Sequence, residues 1–195
     1  MGDAEEPRIV LVRHGETEWS AAGRHTGRTD IPLTAAGREQ ARGIGAILAG
    51  RRFVHVLTSP LARARETAAL AGFGAVATVD PDLREWDYGI YEGRTRIEIA
   101  AEEPGWTVWT RPIRGGESLA DLGARADRVA ARLVGLGGST LVVSHGHFLR
   151  VLAARWIGAP PELAGHLELG TARISELGWE ADRRSIELWN AAAAG

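Results

Sequence analysis

Short apolar runs alternate along this 195-residue chain with longer stretches whose apolar residues recur every three or four positions. Arg8 to Val12 (RIVLV), rich in β-branched residues, predicts a buried strand that stops at Arg13-His14-Gly15. Thr34 caps a predicted helix reaching to about Gly50, weakened by Gly37, Gly43 and Gly45. Phe53 to Thr58 predicts a second strand. Ser59 and Pro60 supply the cap and first position of a helix running to about Ala71. Val76 to Val79 predicts a short strand.

From Asp80 to Gly116 the pattern loosens into Pro, Gly, Trp and Tyr, with one short helix near Arg96 to Ala101. This segment reads as a small lid or insertion, at about 80–116, on one domain spanning residues 1–195. Ser118 and Asp121 resemble a capping box opening a helix to about Leu136. Thr140 to Val143 predicts a strand ending at Ser144-His145-Gly146-His147, and Phe148 to Ile157 a helix. Residues 171–178 and 185–189 predict a closing hairpin. The acidic leader and the AAAAG tail read as frayed. Apolar strands separated by amphipathic helices predict a parallel sheet covered on both faces, and such sheets bind ligands beyond the carboxyl ends of their strands.

Composition narrows the chemistry through its absences. With no cysteine, disulfides, thiolate metal sites and cysteine nucleophiles are excluded. All 23 basic residues are arginine, which excludes Schiff-base chemistry and the P-loop lysine. Anions must then be held by guanidinium groups, histidine or backbone N–H groups. A net charge of -2, with arginines interleaved among acids, argues against nucleic-acid binding. No apolar stretch approaches the roughly 20 residues of a membrane helix. A soluble cytoplasmic protein, monomer or homodimer, is expected.

Two strands end in the same dipeptide, His14-Gly15 and His145-Gly146. A histidine at a strand end is ordinarily a satisfied hydrogen-bonding residue. Two in equivalent positions beside one cleft argue otherwise for His14 and His145, whereas His25, His55 and His166 have no such context. Helical spacing puts Arg63, Ala64 and Thr67 on one face and turns Arg65 elsewhere. Arg13, Arg63 and two imidazoles at a sheet edge make an anion-seeking site suited to a phosphoryl group. His145-Gly146-His147 also has the spacing of a metal pair, but it lacks the continuation of the known hydrolase motifs, and flanking arginines repel cations. No metal or other cofactor is expected.

Four motifs then resemble, in order, those of the histidine phosphatase (phosphoglycerate mutase-like) superfamily. They are Leu11 to Thr17 (LVRHGET), Ser59 to Thr67 (SPLARARET), Leu83 to Gly89 (LREWDYG) followed by Tyr91-Glu92-Gly93, and Val143 to His147 (VSHGH). The resemblance covers about residues 8–157 and is strongest to the acid phosphatase and sugar-bisphosphatase branches. It implies a three-layer α/β/α sandwich with a mainly parallel sheet. It also implies that His14 is the nucleophile, that Arg13, Arg63 and His145 bind phosphoryl oxygens, and that Glu85 is the general acid and then base. Thr26 and Gly27 match a segment that touches substrate. Ser20 stands where many members carry asparagine. Glu92 is a second carboxylate, matching the trailing Glu-Gly pair rather than the acid.

The chemistry agrees with the residues themselves. A neutral imidazole is a nucleophile near pH 7 without an activating base. The turn at Gly15 can offer a carbonyl to orient it. Mutases of this superfamily carry a longer insertion after the acid; here that span is short, although Arg94, Arg96, Arg111 and Arg114 lie in it. Hydrolysis of a small phosphorylated metabolite is the expected activity, with mutase transfer or a non-catalytic phosphometabolite sensor as alternatives. Trp106 and Trp109 are read as core packing in preference to a sugar floor.

Overall fold

The computed structural model describes residues 8–192. The fraying expected of the leader and tail falls chiefly on residues 1–7 and 193–195, outside the described chain.

The chain folds around a six-stranded sheet. β1 (Ile9–Arg13), β2 (His55–Thr58), β3 (Thr78–Val79) and β4 (Thr140–Ser144) are mutually parallel. β5 (Ile174–Glu180) and β6 (Arg183–Ala191) close one side as an antiparallel hairpin, in the order β3-β2-β4-β1-β5-β6. The hairpin is longer, and its turn tighter, than the sequence pattern implied. Only Ala181 and Asp182 separate the strands, and Ala181 takes the left-handed conformation (φ 56°) that a two-residue turn demands.

Strand alternation explains why both faces of the central strands β1 and β4 are covered. Ile9 and Leu11 of β1 and Val142 of β4 point into one apolar cluster, while Val10, Val12, Leu141 and Val143 point into the other. The second cluster is covered by α2 (Ala35–Ile47) and α3 (Ala62–Leu70), through Ile44, Ala64 and Ala68. The first is covered by α5 (Leu119–Leu136) and α6 (Gly146–Trp156), through Leu122, Val129, Phe148 and Leu152. Each fully buried aliphatic side chain contributes about 1.5–3 kcal/mol. The result is the α/β/α sandwich.

Two local expectations change. A four-residue helix, α1 (Glu18–Ala21), follows the first motif without any apolar periodicity to announce it; a reciprocal Thr17–Ser20 capping box holds it. In the span 80–116, α4 (Arg96–Glu102) and two 3-10 turns are the regular elements. Its Trp86, Tyr88, Tyr91, Ile99, Trp106 and Val108 are buried in the same cluster as Ile9 and Leu11. These side chains anchor the span to the core. Among the described residues, no helix is long and apolar enough to cross a membrane.

Candidate active site

Register brings the two His-Gly pairs together. Arg13 of β1 pairs with Ser144 of β4, so the next residues, His14 and His145, leave the sheet side by side. Their rings meet edge-on with centroids 5.1 Å apart. His14 Nδ1 lies 2.7 Å from the Gly15 carbonyl oxygen. A carbonyl only accepts, so Nδ1 carries the ring proton and Nε2 keeps its lone pair. Burial, then the charges of Arg63 and Arg13, hold the His14 pKa well below the ordinary imidazole value. The ring is neutral at physiological pH.

The turn after His14 depends on close backbone approach. A Cβ at Gly15 would stand 2.3 Å from the Gly37 carbonyl oxygen, and one at Gly37 would stand 2.1 Å from that of Glu16. The glycine that weakens the start of α2 is thus what lets the helix lie against the turn. Gly15 N–H donates to Thr67 Oγ1 at 3.0 Å, tying the turn to α3.

Ser59 is not the helix cap the sequence suggested. The helix begins two residues later, at Ala62, whose N–H donates to the Asp30 carboxylate at 2.8 Å. Ser59 Oγ instead lies 2.6 Å from His145 Nε2 and accepts from Leu61 N–H at 3.3 Å. The contact leaves His145 Nδ1 as the ring nitrogen without a partner. Burial, then Arg63, His14 and Arg13, keep this ring neutral as well.

Three buried side-chain nitrogens in this group have no hydrogen-bond partner among the described residues: Arg13 Nε, Arg63 Nε and His145 Nδ1. Both arginine nitrogens are donors, and His145 Nδ1 is one when the Ser59 hydroxyl donates to Nε2. Arg13 is held by the Leu169 carbonyl and lies against Gly146, where a Cβ would be 3.1 Å from its guanidinium carbon. Arg63 is fully buried; its Nη1 donates to the Thr29 carbonyl, and its Nη2 to those of Thr26 and Gly27. Arg65 is exposed, as helical spacing required.

Glu85 closes the site from the segment after β3. Its Oε1 accepts from Trp86 and Phe148 N–H, each at 2.9 Å, and its Oε2 from His147 N–H at 3.1 Å. Two of these donors are first-turn amides of α6, where helix and carboxylate attract. Behind Glu85, buried Arg125 donates to the carbonyls of Asp82, Arg84 and Glu85 and forms a bidentate pair with Glu117. Sequence periodicity marked position 125 only as part of a helix. Nothing local signals a partner 40 residues away.

Arg13, His14 and Glu85 line a cleft of about 180 Å³ together with Ser20, Thr26, His25, Tyr88, His147 and Arg150. Ser20 is in the wall, its hydroxyl donating to the Thr17 carbonyl at 3.0 Å. Gly27 lies behind the wall: its N–H donates to Glu92 and its carbonyl accepts from Arg63. Glu92 also accepts from Thr29 N–H, so this carboxylate anchors the loop and is not a lining residue. His25, dismissed on sequence, lines the cleft; contacts with Tyr88, Gly93, Arg94 and Trp106, all distant in the chain, hold it there. Arg94 and Arg114 pair with Glu102 and Glu103, and none of the four arginines from 94 to 114 lines the cleft. Trp106 is buried in the core, and Trp109 lies beneath Arg150, 4.6 Å from its guanidinium carbon. In the metal-like pair, His145 Nε2 is taken by Ser59 and His147 Nδ1 by Tyr88. Among the described residues, no group of three or more His, Asp or Glu is placed to hold a metal ion.

Paired imidazoles and guanidinium groups at the carboxyl edge of an α/β sheet define a phosphate-handling enzyme. The profile of the histidine phosphatase superfamily (branch 1) matches residues 9–192, and the chain belongs to that family and is a phosphatase of it. It is 42% identical over 185 residues to an acid phosphatase of Mycobacterium tuberculosis, covering 93% of this chain and 91% of that protein. It is 35% identical to a sedoheptulose 1,7-bisphosphatase of Saccharomyces cerevisiae, covering 78% and 68%. It is 33% identical to a probable phosphoglycerate mutase of Salmonella choleraesuis, covering 96% and 92%. The solved structure of a Mycobacterium tuberculosis open reading frame product superimposes with a TM-score of 0.91 at 39% identity, covering 96% of this chain and 99% of that one.

Proposed function

We propose that the protein is a metal-independent phosphomonoesterase of the cytoplasm that hydrolyses small phosphorylated metabolites, sugar phosphates among them, through a phosphohistidine on His14. The observation that carries this reading is the set of buried, unpartnered nitrogens, Arg13 Nε, Arg63 Nε and His145 Nδ1, beside a neutral imidazole with a bare Nε2. Donors without acceptors are costly inside a protein and are explained by a ligand rich in acceptors. A phosphoryl group supplies three equatorial oxygens carrying spread negative charge.

In this reading His14 Nε2 attacks phosphorus in line while the bond to the leaving oxygen breaks. Glu85 delivers the proton that turns the departing alkoxide into an alcohol. Its Oε2 receives one backbone N–H where Oε1 receives two, so Oε2 retains the site for that proton. Water then attacks the phosphohistidine, Glu85 takes the water proton, and the P–N bond breaks to release inorganic phosphate and neutral His14. Arg13, Arg63 and His145 hold the phosphoryl oxygens throughout, and Ser59 fixes the tautomer of His145.

The test is incubation of the protein with EDTA and a panel of sugar phosphates and 3-phosphoglycerate, followed by phosphorus NMR. Inorganic phosphate is the expected product; phosphate migrating within phosphoglycerate without release establishes the mutase instead. For the acid, Glu85→Gln is expected to lose about 10²–10⁴-fold in kcat on an alkyl phosphate and far less on an aryl phosphate, whose leaving group departs unprotonated. Equal losses on both esters remove Glu85 from that role.

A further inference from the structure

Beyond the phosphoryl site, the cleft wall carries a second pair of imidazoles, His25 and His147, with centroids 6.3 Å apart and planes within 13° of parallel. Hydrogen bonds orient both rings. His25 Nδ1 lies 2.8 Å from the Arg94 carbonyl oxygen, which can only accept, so Nδ1 bears the proton and Nε2 is an acceptor. His147 Nδ1 meets the Tyr88 hydroxyl. Tyr88 is 2% exposed, and that contact is its hydroxyl's one partner among the described residues. When the phenol donates to His147 Nδ1, the His147 proton sits on Nε2, a donor.

Both rings are neutral: burial depresses each imidazole pKa, and burial followed by the charge of Glu85 keeps the Tyr88 phenol protonated. Neither Nε2 has a hydrogen-bond partner among the described residues. The pair stands on the Glu85 side of the cleft. His147 gives its backbone N–H to Glu85, and the Glu85 charge acts on His25. In the phosphomonoesterase reading, this wall adjoins the group that protonates the leaving oxygen.

We infer that His25 and His147 form a leaving-group subsite of fixed polarity, one acceptor and one donor, that selects phosphate esters of hydroxylated carbon. A hydroxyl both donates and accepts, so it satisfies His25 Nε2 and His147 Nε2–H together. A carboxylate or second phosphate only accepts, and meets the lone pair of His25 with its own. Tyr88 acts through His147 as a positioning residue. This inference rests on the phosphomonoesterase reading and adds to it the chemistry of the alcohol released.

The experiment compares kcat/KM for glycerol 3-phosphate and n-propyl phosphate, a three-carbon ester without hydroxyls, in wild type, His25→Leu, His25→Gln and Tyr88→Phe. Intrinsic differences between the two esters cancel when each variant's ratio is divided by that of the wild type. The glycerol-to-propyl ratio is expected to fall about tenfold in His25→Leu and about fivefold in Tyr88→Phe, the scale of one lost hydrogen bond. His25→Gln, which returns a carbonyl acceptor, recovers part of the ratio. A merely structural role lowers both rates and leaves the ratio alone. An unchanged ratio in either His25→Leu or Tyr88→Phe overturns the subsite while leaving the phosphatase reading standing. Failure of the wild type to hydrolyse either ester overturns both.

Discussion

His14→Ala is expected to abolish turnover of an aryl phosphate in EDTA, lowering kcat by about 10⁴-fold or more, the scale on which a lost covalent nucleophile is felt. The neighbouring imidazole cannot take over. In the proposed mechanism the Ser59 hydroxyl donates to His145 Nε2 and Nδ1 carries the proton, so this ring presents no lone pair to phosphorus. Nor does any cysteine or lysine exist to serve as an alternative nucleophile. A radiolabelled substrate quenched in base should leave label on the wild-type chain, released by acid, and none on the variant. Circular dichroism confirms that the variant is folded. Wild-type rates in His14→Ala would remove the phosphohistidine from the mechanism.

The second large effect is on stability. Arg125 is 1% exposed, stacks over Phe148 with its guanidinium carbon 4.7 Å from the ring centre, and pairs with a largely buried Glu117. Removing one partner of such a pair strands the other charge, at a cost of about 3–5 kcal/mol. For a chain of this size Arg125→Ala should lower Tm by about 6–20 °C. Differential scanning calorimetry at neutral pH measures it directly, and a Tm within 2 °C or so of wild type would show that the pair carries little. The double variant Arg125→Met with Glu117→Leu should lie closer to wild type, since apolar replacement leaves no stranded charge. In both, the Asp82, Arg84 and Glu85 carbonyls lose their common donor, so the acid is held less firmly than in the intact protein.

Much of this architecture was legible because it repeats at short range. The apolar run of β1 is uninterrupted because both its faces are covered, and the abrupt polar stops at His14 and His145 mark the strand ends. Helical spacing separated Arg63 from Arg65 before any contact was known. What escaped is long-range. Ser59 has the type and position of a helix cap, but its hydroxyl is drawn to an imidazole 86 residues along the chain. Gly37 reads as a flaw in α2 until the turn at Gly15 is laid against it. The span 80–116 is rich in Gly and Pro, as a flap is, and its aromatic residues turn inward because the sheet offers them a face to cover. His25, Tyr88 and His147 become a wall only when three distant segments meet.

Arg63 carries a consequence for how substitutions here are interpreted. The guanidinium whose Nε has no partner among the described residues spends both terminal nitrogens as a clasp on the carbonyls of Thr26, Gly27 and Thr29. Charge and scaffold are one object. A lysine in its place would keep the charge yet release the loop that carries Thr26. The affinity so lost would be mistaken for weaker electrostatics, when part of it belongs to a strap come undone.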